Sequence, residues 1–266
     1  MEILYQPFQP TLMESGLISF GLSLRSVPAC GALSGIVHAY LQIKATKATP
    51  YPLIPDGTQA VFISPNGSLL SGPRVQACDL PILDAGEYFG IWFFPGALRY
   101  FIDLNVSDLK GQFIDSFSVS WRGFRNLHNS VYQYSAFEDR VTVCEQWLLN
   151  NFKGLSISPF DHALSLLYQS FGGIRVYRLS KLVGLSDRHV NRLFHLNTGV
   201  STKEFAQTIR IQHACKQLYI ARASSSNTYN DLGYFDQSHL IKSWNKFLLS
   251  SPNAFWERFK SDSYNS

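Results

Sequence analysis

The chain has 266 residues, of which 45% are hydrophobic, and it carries a formal net charge of +4 at neutral pH. This length predicts one large domain or two domains of ordinary size, with enough apolar residues for a substantial core. No apolar run approaches the roughly 20 residues that a membrane-spanning helix needs. The N-terminal segment MEILYQPFQP also lacks the pattern of a secretory signal. We therefore expect a cytoplasmic protein with no membrane segment.

The first 105 residues predict strands and turns. The run QAVFIS (Gln59–Ser64) is short and apolar, and it lies between the turn triplets PDG and PNG. The segment GEYFGIWFFPG (Gly86–Gly96) predicts a second strand with aromatic residues on both faces. Strands at this spacing favour a small sandwich or barrel. By composition the aromatic residues of the second strand are candidates for a ligand pocket, and core packing is the alternative; they are Tyr88, Phe89, Trp92, Phe93 and Phe94.

From about residue 106 the apolar residues follow a helical period. VSDLKGQFIDSF (106–117) predicts a helix capped by Ser107. SAFEDRVTVCEQWLLNNF (135–152) predicts another, opened by a capping box of Ser135 and Glu138. The apolar face of this second helix either packs on the front of the chain or pairs with a second copy, and its members are Val141, Cys144 and Leu148. KGLSISP then breaks the helical pattern and predicts a linker.

The sequence offers little for metal or enzyme chemistry. The four cysteines form no Cys-x-x-Cys pair, which predicts buried reduced thiols. In the front half, His38 and His128 lie far apart and form no His-x-His pair. Asp236, Ser238 and His239 are close in sequence, but helix neighbours one or two apart do not face each other. Because nucleotide-binding and hydrolase motifs are missing as well, we predict no catalytic residue, no metal and no cofactor.

Charge is distributed unevenly along the chain. Residues 1–160 carry 10 basic and 12 acidic side chains, whereas residues 161–266 carry 13 basic and 7 acidic ones. A nearly neutral front joined to a basic back third is typical of nucleic-acid binding, because a polyanion responds to local positive potential. A solvated basic face would give the same count.

Residues 176–200 predict two short helices joined by a tight turn. Leu179, Leu182 and Val183 form the apolar face of the first helix, which Gly184 ends. Ser186 is a good N-cap for the second helix, whose inward residues are Val190, Leu193 and Phe194. This is a helix-turn-helix, a motif that places its second helix in the DNA major groove. The outward positions of that helix are Arg188, His189, Asn191, Arg192 and His195.

The same form recurs near the C-terminal end. A long helix over Ser201–Ala221 leads through a Ser-rich loop to DLGYFDQSHL. There Gly233 ends a short segment, Tyr234 packs back, and Asp236 caps a helix that starts with QSHLIKSWNKF. The outward residues of this helix are Gln237, Ser238, Ile241 and Lys242. Arg pairs with guanine, and Asn or Gln with adenine, so both second helices carry base-reading chemistry.

These motifs resemble the DNA-binding domain of the AraC/XylS family of bacterial transcription regulators. The resemblance rests on LSDRHVNRLFHLNTGVSTKEF, RIQHA, LGYFDQSHLIKSW and SPNAF, over about 95 residues. PDGTQAVFI, GIWFFPGALRYFI and FEDR extend it to one branch of the family. It implies an α+β chain with a β-rich, cupin-like regulatory or dimerisation domain over residues 1–153. An all-α double helix-turn-helix domain would occupy residues 158–261.

The resemblance also implies roles for individual residues. Bases would be read by Arg188, Asn191 and Arg192 in the first unit and by Gln237, Ser238 and Lys242 in the second. The histidines of the two reading helices would lie nearer the DNA backbone or the helix packing; they are His189, His195 and His239. The implied function is a sequence-specific transcription activator. Its partner is double-stranded DNA, and RNA polymerase, a second copy of the chain and a small-molecule effector are further candidates.

The sequence departs from the family pattern at three places. Thr228-Tyr229 stands where an Ile-Ala pair is usual, Thr202 where Pro is usual, and Leu249 where Gly is usual. These departures predict a second unit that is repositioned, weakened or used for phosphate contacts. The alternatives are therefore a regulator that acts through protein contacts, or a ligand-binding module with a degenerate second unit.

Overall fold

The computed structural model describes residues 5–9, 17, 21–49, 51–80, 84–154, 157–220, 229, 231–251 and 254. The front part of the chain (5–154) is rich in strands and the back part (157–254) is helical, which confirms the predicted α+β class. The strands are β1 (Leu22–Pro28), β2 (Val37–Ala45), β3 (Tyr51–Leu53), β4 (Gln59–Ser64), β5 (Gly67–Ser71), β6 (Cys78–Leu80), β7 (Gly86–Phe93) and β8 (Phe113–Asp115). The α-helices are α1 (Phe124–Val131), α2 (Phe137–Asn151), α3 (Pro159–Gln169), α4 (Val176–Val183), α5 (Asp187–Thr198), α6 (Thr202–Ile220) and α7 (Gln237–Leu248).

The main sheet is antiparallel and has the strand order β1-β2-β7-β4-β5-β8, while β3 and β6 pair separately. Strand β4 has the bounds that the turn triplets predict. Side chains of β7 alternate between the two faces of the sheet. Phe89 and Phe93 belong to the large core beneath the helices, whereas Tyr88 and Trp92 belong to smaller apolar clusters. The strand is therefore buried on both faces, as its composition predicts.

The prediction of one helix over residues 106–117 is wrong. Val106–Leu109 is a short 3-10 helix capped by Asn105, and Phe113–Asp115 forms β8. Gly111 adopts a positive φ of 73° between them. Phe113 and Ile114 then pair with Ser71 and Leu70 of β5. Pairing with a distant strand outweighs the local helical period here.

The second predicted helix exists but begins differently. Its N-cap is Ala136, which makes no side-chain cap, so the capping box of Ser135 and Glu138 is wrong. The Glu138 carboxylate instead pairs with Arg25 of β1.

The apolar face of α2, which consists of Val141, Cys144 and Leu148, is buried in the chain's own core. Of the two alternatives for this face, packing within the chain is therefore correct and pairing with a second copy is wrong, because the face is already covered. The prediction for the thiols holds in part. Cys144 and Cys215 are buried, but Cys78 is only half-buried and Cys30 is exposed.

The first helix-turn-helix forms as its local signals predict. Gly184 ends α4 in the left-handed conformation, and the Ser186 hydroxyl accepts the His189 backbone N–H at 3.2 Å. Leu179, Val190 and Phe194 are buried. Leu182, predicted on the apolar face of α4, is instead 51% exposed, because no part of the described fold covers it. The first helix of the second unit would fall largely on 221–228 and 230, outside the described residues, as do Thr228 and most of SPNAF.

The front and back parts share one apolar core. Phe160, Phe194 and Phe205 of the back part pack edge to face or tilted, at centroid distances of 5.2 and 5.4 Å. They belong to the same cluster as Phe89 and Phe93 of the sheet. Polar contacts reinforce this junction. The Gln212 amide of α6 accepts the Phe8 backbone N–H at 2.7 Å and donates to the carbonyls of Phe8 and Pro55.

Lys110 and Glu204 form an ion pair of 2.8 Å across the same junction. Burial opposes ionisation of Glu204, but hydrogen bonds from Lys110 and Ser201 outweigh it and lower its pKa to about 2. Since the folded pKa lies below the usual value of 4.5, this carboxylate stabilises the fold above about pH 4.5. The stabilisation is lost as the pH falls from there through about 2.

We expect Glu204→Gln to be less stable than the parent at pH 6, with a smaller difference at pH 3. At pH 3 the Glu204 carboxylate is protonated in the unfolded chain but still largely ionised in the folded one, so part of the stabilisation of the parent is lost. Urea unfolding at the two pH values measures this. Asp103→Asn, which changes an exposed carboxylate, is the matched control. An equal difference at both pH values would show that the Glu204 carboxylate does not stabilise the junction.

Helix α7 ends at Leu249, which stands in the left-handed region with a φ of 55°. A side chain with a Cβ atom is strained in this conformation by roughly 1–2 kcal/mol, whereas glycine adopts it freely. Leu249 is 63% exposed, so its side chain contributes little packing.

Leu249→Gly should therefore raise the unfolding free energy of the chain by roughly 0.5–1 kcal/mol, after the greater entropy of glycine in the unfolded chain is subtracted. The comparison is Leu149→Gly, which places glycine inside α2 at an exposed position and should destabilise by a similar amount. Thermal unfolding of both variants measures the effect. A fall in stability for Leu249→Gly would mean that the strain at this position is relieved by contacts of the leucine side chain.

Candidate nucleic-acid interface

Helix α5 presents two arginines on one exposed face. Arg188 and Arg192 are four residues apart, and both are exposed. Leu196 continues this face one turn further on and is 50% exposed. The Ser186 cap and the buried Val190 and Phe194 fix the rotation of the helix, so these side chains point away from the core.

The other predicted residues of α5 are engaged within the protein. The Nε2 atom of His189 lies 3.4 Å from an Arg192 guanidinium nitrogen, and His195 is only partly exposed. Asn191 is half-buried, and its side-chain oxygen accepts the Thr202 backbone N–H at 3.0 Å. A proline at position 202 would have no N–H to donate. The departure from the family pattern at Thr202 is therefore matched by a hydrogen bond from α6 to α5.

Helix α7 begins as predicted. The Asp236 carboxylate accepts the His239 backbone N–H at 2.7 Å, and Tyr234 is buried. Gln237, Ser238 and Lys242 are exposed, so the three predicted readers of this helix all reach the surface. The His239 ring stands edge-on to Tyr234 at 5.2 Å.

Two exposed apolar residues at these helices were missed by sequence reasoning. Leu196 lies off the Val190–Phe194 stripe, and this helical spacing is a signal that could have revealed it. Phe235 directly precedes the Asp236 cap and is 86% exposed. In sequence it stands beside the aromatic Tyr234, and only the fold separates the buried ring from the exposed one.

Of the pair Thr228-Tyr229, which departs from the family pattern, the structure describes Tyr229 alone. Tyr229 is exposed rather than inserted into the core, and its carbonyl accepts the N–H groups of Leu232 and Tyr234 at 3.2 and 3.0 Å. At this position the bulky ring therefore does not overpack the core.

A stretch of the front part, Pro73–Ala77, touches the C-terminal ends of both α5 and α7; we call it the bridging segment. A Cβ atom on Gly199, just after α5, would lie 2.5 Å from the Pro73 side chain. At α7, the Gln76 side chain donates to the Lys246 carbonyl at 3.0 Å, and the Ala77 N–H donates to the Phe247 carbonyl at 2.7 Å. Carbonyls in the last turn of a helix have no partner within the helix, so these contacts stabilise α7 directly.

The bridging segment also borders a cavity on the sheet face opposite the large core. The wall is mainly apolar and includes Leu41, Ile43, Leu53, Phe62 and Trp92. Arg74 lines the cavity as well, and its guanidinium stacks on the Phe113 ring at 3.8 Å and donates to the Gly111 carbonyl at 3.2 Å. Its Nε and Nη2 atoms are buried without a hydrogen-bond partner, and desolvation lowers its pKa.

The aromatic residues proposed for a ligand pocket therefore fall into two groups, those that line a cavity and those that pack in the core. Trp92 lines this cavity, and Tyr88 lines a second one beside the β4–β5 turn. Phe89, Phe93 and Phe94 are core residues, so the packing alternative is correct for them.

The two front-half histidines make separate structural contacts. The His38 ring lies edge-on to Trp92 at 4.5 Å, and burial lowers its pKa to about 4. The Nε2 atom of His128 is 3.0 Å from the Ser64 carbonyl oxygen. Across the described ranges no cluster of His, Cys, Asp and Glu side chains could hold a metal ion. No helix in those ranges is long and apolar enough to cross a membrane.

Comparison with known proteins yields two family matches. Residues 179–258 match a family described as "Helix-turn-helix domain", which is of the AraC type. Residues 25–115 match a "Domain of unknown function (DUF6597)". No curated protein matches the chain.

Solved structures of ToxT from Vibrio cholerae are similar at low identity. An apo variant from strain SCE256 is 9% identical and covers 90% of this chain and 97% of its own, with a TM-score of 0.41. A 1.65 Å structure is 9% identical and covers 89% and 97%, with a TM-score of 0.42. ToxT of strain O395 is 7% identical and covers 90% and 98%, also with a TM-score of 0.42.

The exposed arginines of α5, the capped turns before α5 and α7, and the helix-turn-helix match coincide in the basic back part of the chain. Residues 179–258 therefore form a helix-turn-helix domain of the AraC type, and the chain is a DNA-binding transcription regulator.

Proposed function

We propose that the chain binds a specific DNA sequence with two helices, α5 and α7, and that it activates transcription. The observation that carries the proposal is the exposed pair Arg188 and Arg192 on the second helix of the matched motif. Arginine at this position pairs bidentately with guanine in the major groove. Phosphate contacts from the basic back part would supply much of the affinity, which should therefore fall steeply with salt.

Each predicted residue has a place in this proposal. Arg188 and Arg192 read bases in the first half-site, and Gln237, Ser238 and Lys242 read the second. Asn191 would contact DNA through its amide nitrogen, since its oxygen is held by Thr202. His189, His195 and His239 hold the reading helices or reach the DNA backbone.

The domain organisation belongs to the same proposal. A regulatory domain over residues 1–153 would control a double helix-turn-helix domain over residues 158–261, within the cytoplasm and with RNA polymerase as the protein partner. A homodimer remains part of the proposal through a surface other than the buried face of α2.

Arg192→Ala should weaken binding to the specific site by about 1–3 kcal/mol and relax the preference for one base pair. The site is first obtained by selecting random duplex DNA on the full chain, and binding is then measured by fluorescence anisotropy at fixed salt. Arg122→Ala removes the same charge at an exposed position of the front part and is the matched control.

Parent-like affinity and base preference for Arg192→Ala would remove this residue from the interface. If the selection enriches no sequence and binding to any duplex is weak at low salt, the alternative of a regulator working through protein contacts is favoured.

We further propose that the cavity beside Arg74 takes a small organic anion that controls DNA binding. A mainly apolar wall favours a hydrocarbon body, and a half-buried guanidinium with two buried, unpartnered nitrogens favours a carboxylate. Since Arg74 lies in the bridging segment, a ligand that binds its side chain would also affect the ends of both reading helices.

Small aromatic and aliphatic carboxylates should raise the melting temperature of the parent, and primary amides of the same skeleton should raise it less. Arg74→Met should abolish the difference, because the charged partner is lost while the side-chain volume is largely kept. Arg125→Met, which removes an arginine stacked on Phe117, is the control. An unchanged carboxylate preference in Arg74→Met would place the ligand elsewhere.

A further inference from the structure

Phe235 is held in a fixed position at the start of α7 while its ring is exposed. The preceding Tyr234 is buried, and the following Asp236 caps the helix. The Phe235 backbone N–H points to the His239 ring nitrogen at 3.4 Å. Such anchoring on both sides leaves a large apolar ring, 86% exposed, in a defined place rather than on a loose loop.

The ring is followed by the Asp236 cap and by a first turn of α7 that is polar. The exposed residues of that turn are Gln237, Ser238 and His239, and none of them is acidic. Lys242 lies one turn further on. Helix α5, in contrast, reads with two arginines. The second unit therefore carries chemistry suited to A·T pairs, since glutamine is the bidentate partner of adenine.

Thymine adds one apolar group to the major groove, its C5-methyl, and aromatic side chains contact that methyl in other complexes. We propose that Phe235 packs on a thymine methyl in the half-site of α7, next to the base pair that Gln237 reads. The inference rests on the proposed function and deepens it, because it makes the second unit a reader of A·T pairs and not only a phosphate contact.

The test compares thymine with uracil, which lacks only the methyl group. Each thymine of the second half-site of the selected duplex is replaced singly, and binding of the full chain is measured by anisotropy. Burial of one methyl corresponds to about fourfold in affinity. The parent should lose about fourfold at one position. Phe235→Ala should bind the thymine duplex more weakly, by about fourfold or more, and should no longer distinguish the two bases.

The matched control is Ile157→Ala, which removes another highly exposed apolar side chain, 88% exposed, near the start of α3. It should keep the parent's discrimination. Phe235→Leu retains an apolar side chain and should keep part of the discrimination between the two bases. This variant distinguishes the loss of a contact from misfolding of α7.

Undiminished discrimination in Phe235→Ala, or no position at which the parent prefers thymine, would overturn the contact while leaving sequence-specific binding intact. A loss of activation by Phe235→Ala with unchanged DNA affinity would also overturn it and would assign the ring to a protein partner. If no sequence is enriched in the selection, the proposed function itself fails and this inference fails with it.

Discussion

The packing of three phenylalanines against the front of the chain determines where the DNA-binding helices lie. Phe205 approaches Gly57 and Phe160 approaches Gly96 so closely that a Cβ atom on either glycine would lie 2.8 Å from the ring. Both glycines also have positive φ angles, which other residues rarely adopt. The helix-turn-helix is therefore seated directly on the sheet and shares its core. Its helices depend on the front part for their position as well as for their burial.

This seating brings the ends of both candidate reading helices to one short stretch of backbone. Within five residues, the bridging segment meets the position after α5, supplies donors to the last carbonyls of α7, and contributes Arg74 to a mainly apolar cavity. A change in the cavity therefore has a short physical route to the spacing of the two helices. That spacing matters because two reading helices on one face of DNA must match the helical repeat of the duplex.

The two candidate reading helices differ in chemistry although they share a form. Each follows a glycine turn and an oxygen-bearing N-cap, and each buries an apolar stripe. Helix α5 then presents arginines, whereas the start of α7 presents Gln237, Ser238 and the Phe235 ring. The strained Leu249 at the end of α7 and the hydrogen bond from Thr202 to Asn191 show how the chain accommodates its departures from the family pattern.

The sequence by itself determined the local features: the bounds of β4, the glycine turn at Gly184, and the caps Ser186 and Asp236. These depend on residues only a few positions apart, whose backbone preferences and short hydrogen bonds are independent of the rest of the fold. Tertiary structure alone decided that residues 113–115 form a strand, that Glu138 pairs with Arg25 instead of capping α2, and that Leu182 and Phe235 stay exposed. It also decided that Asn191 accepts a hydrogen bond from Thr202. Each of these outcomes depends on which distant surface covers or contacts the residue, and a local sequence pattern contains no information about that surface.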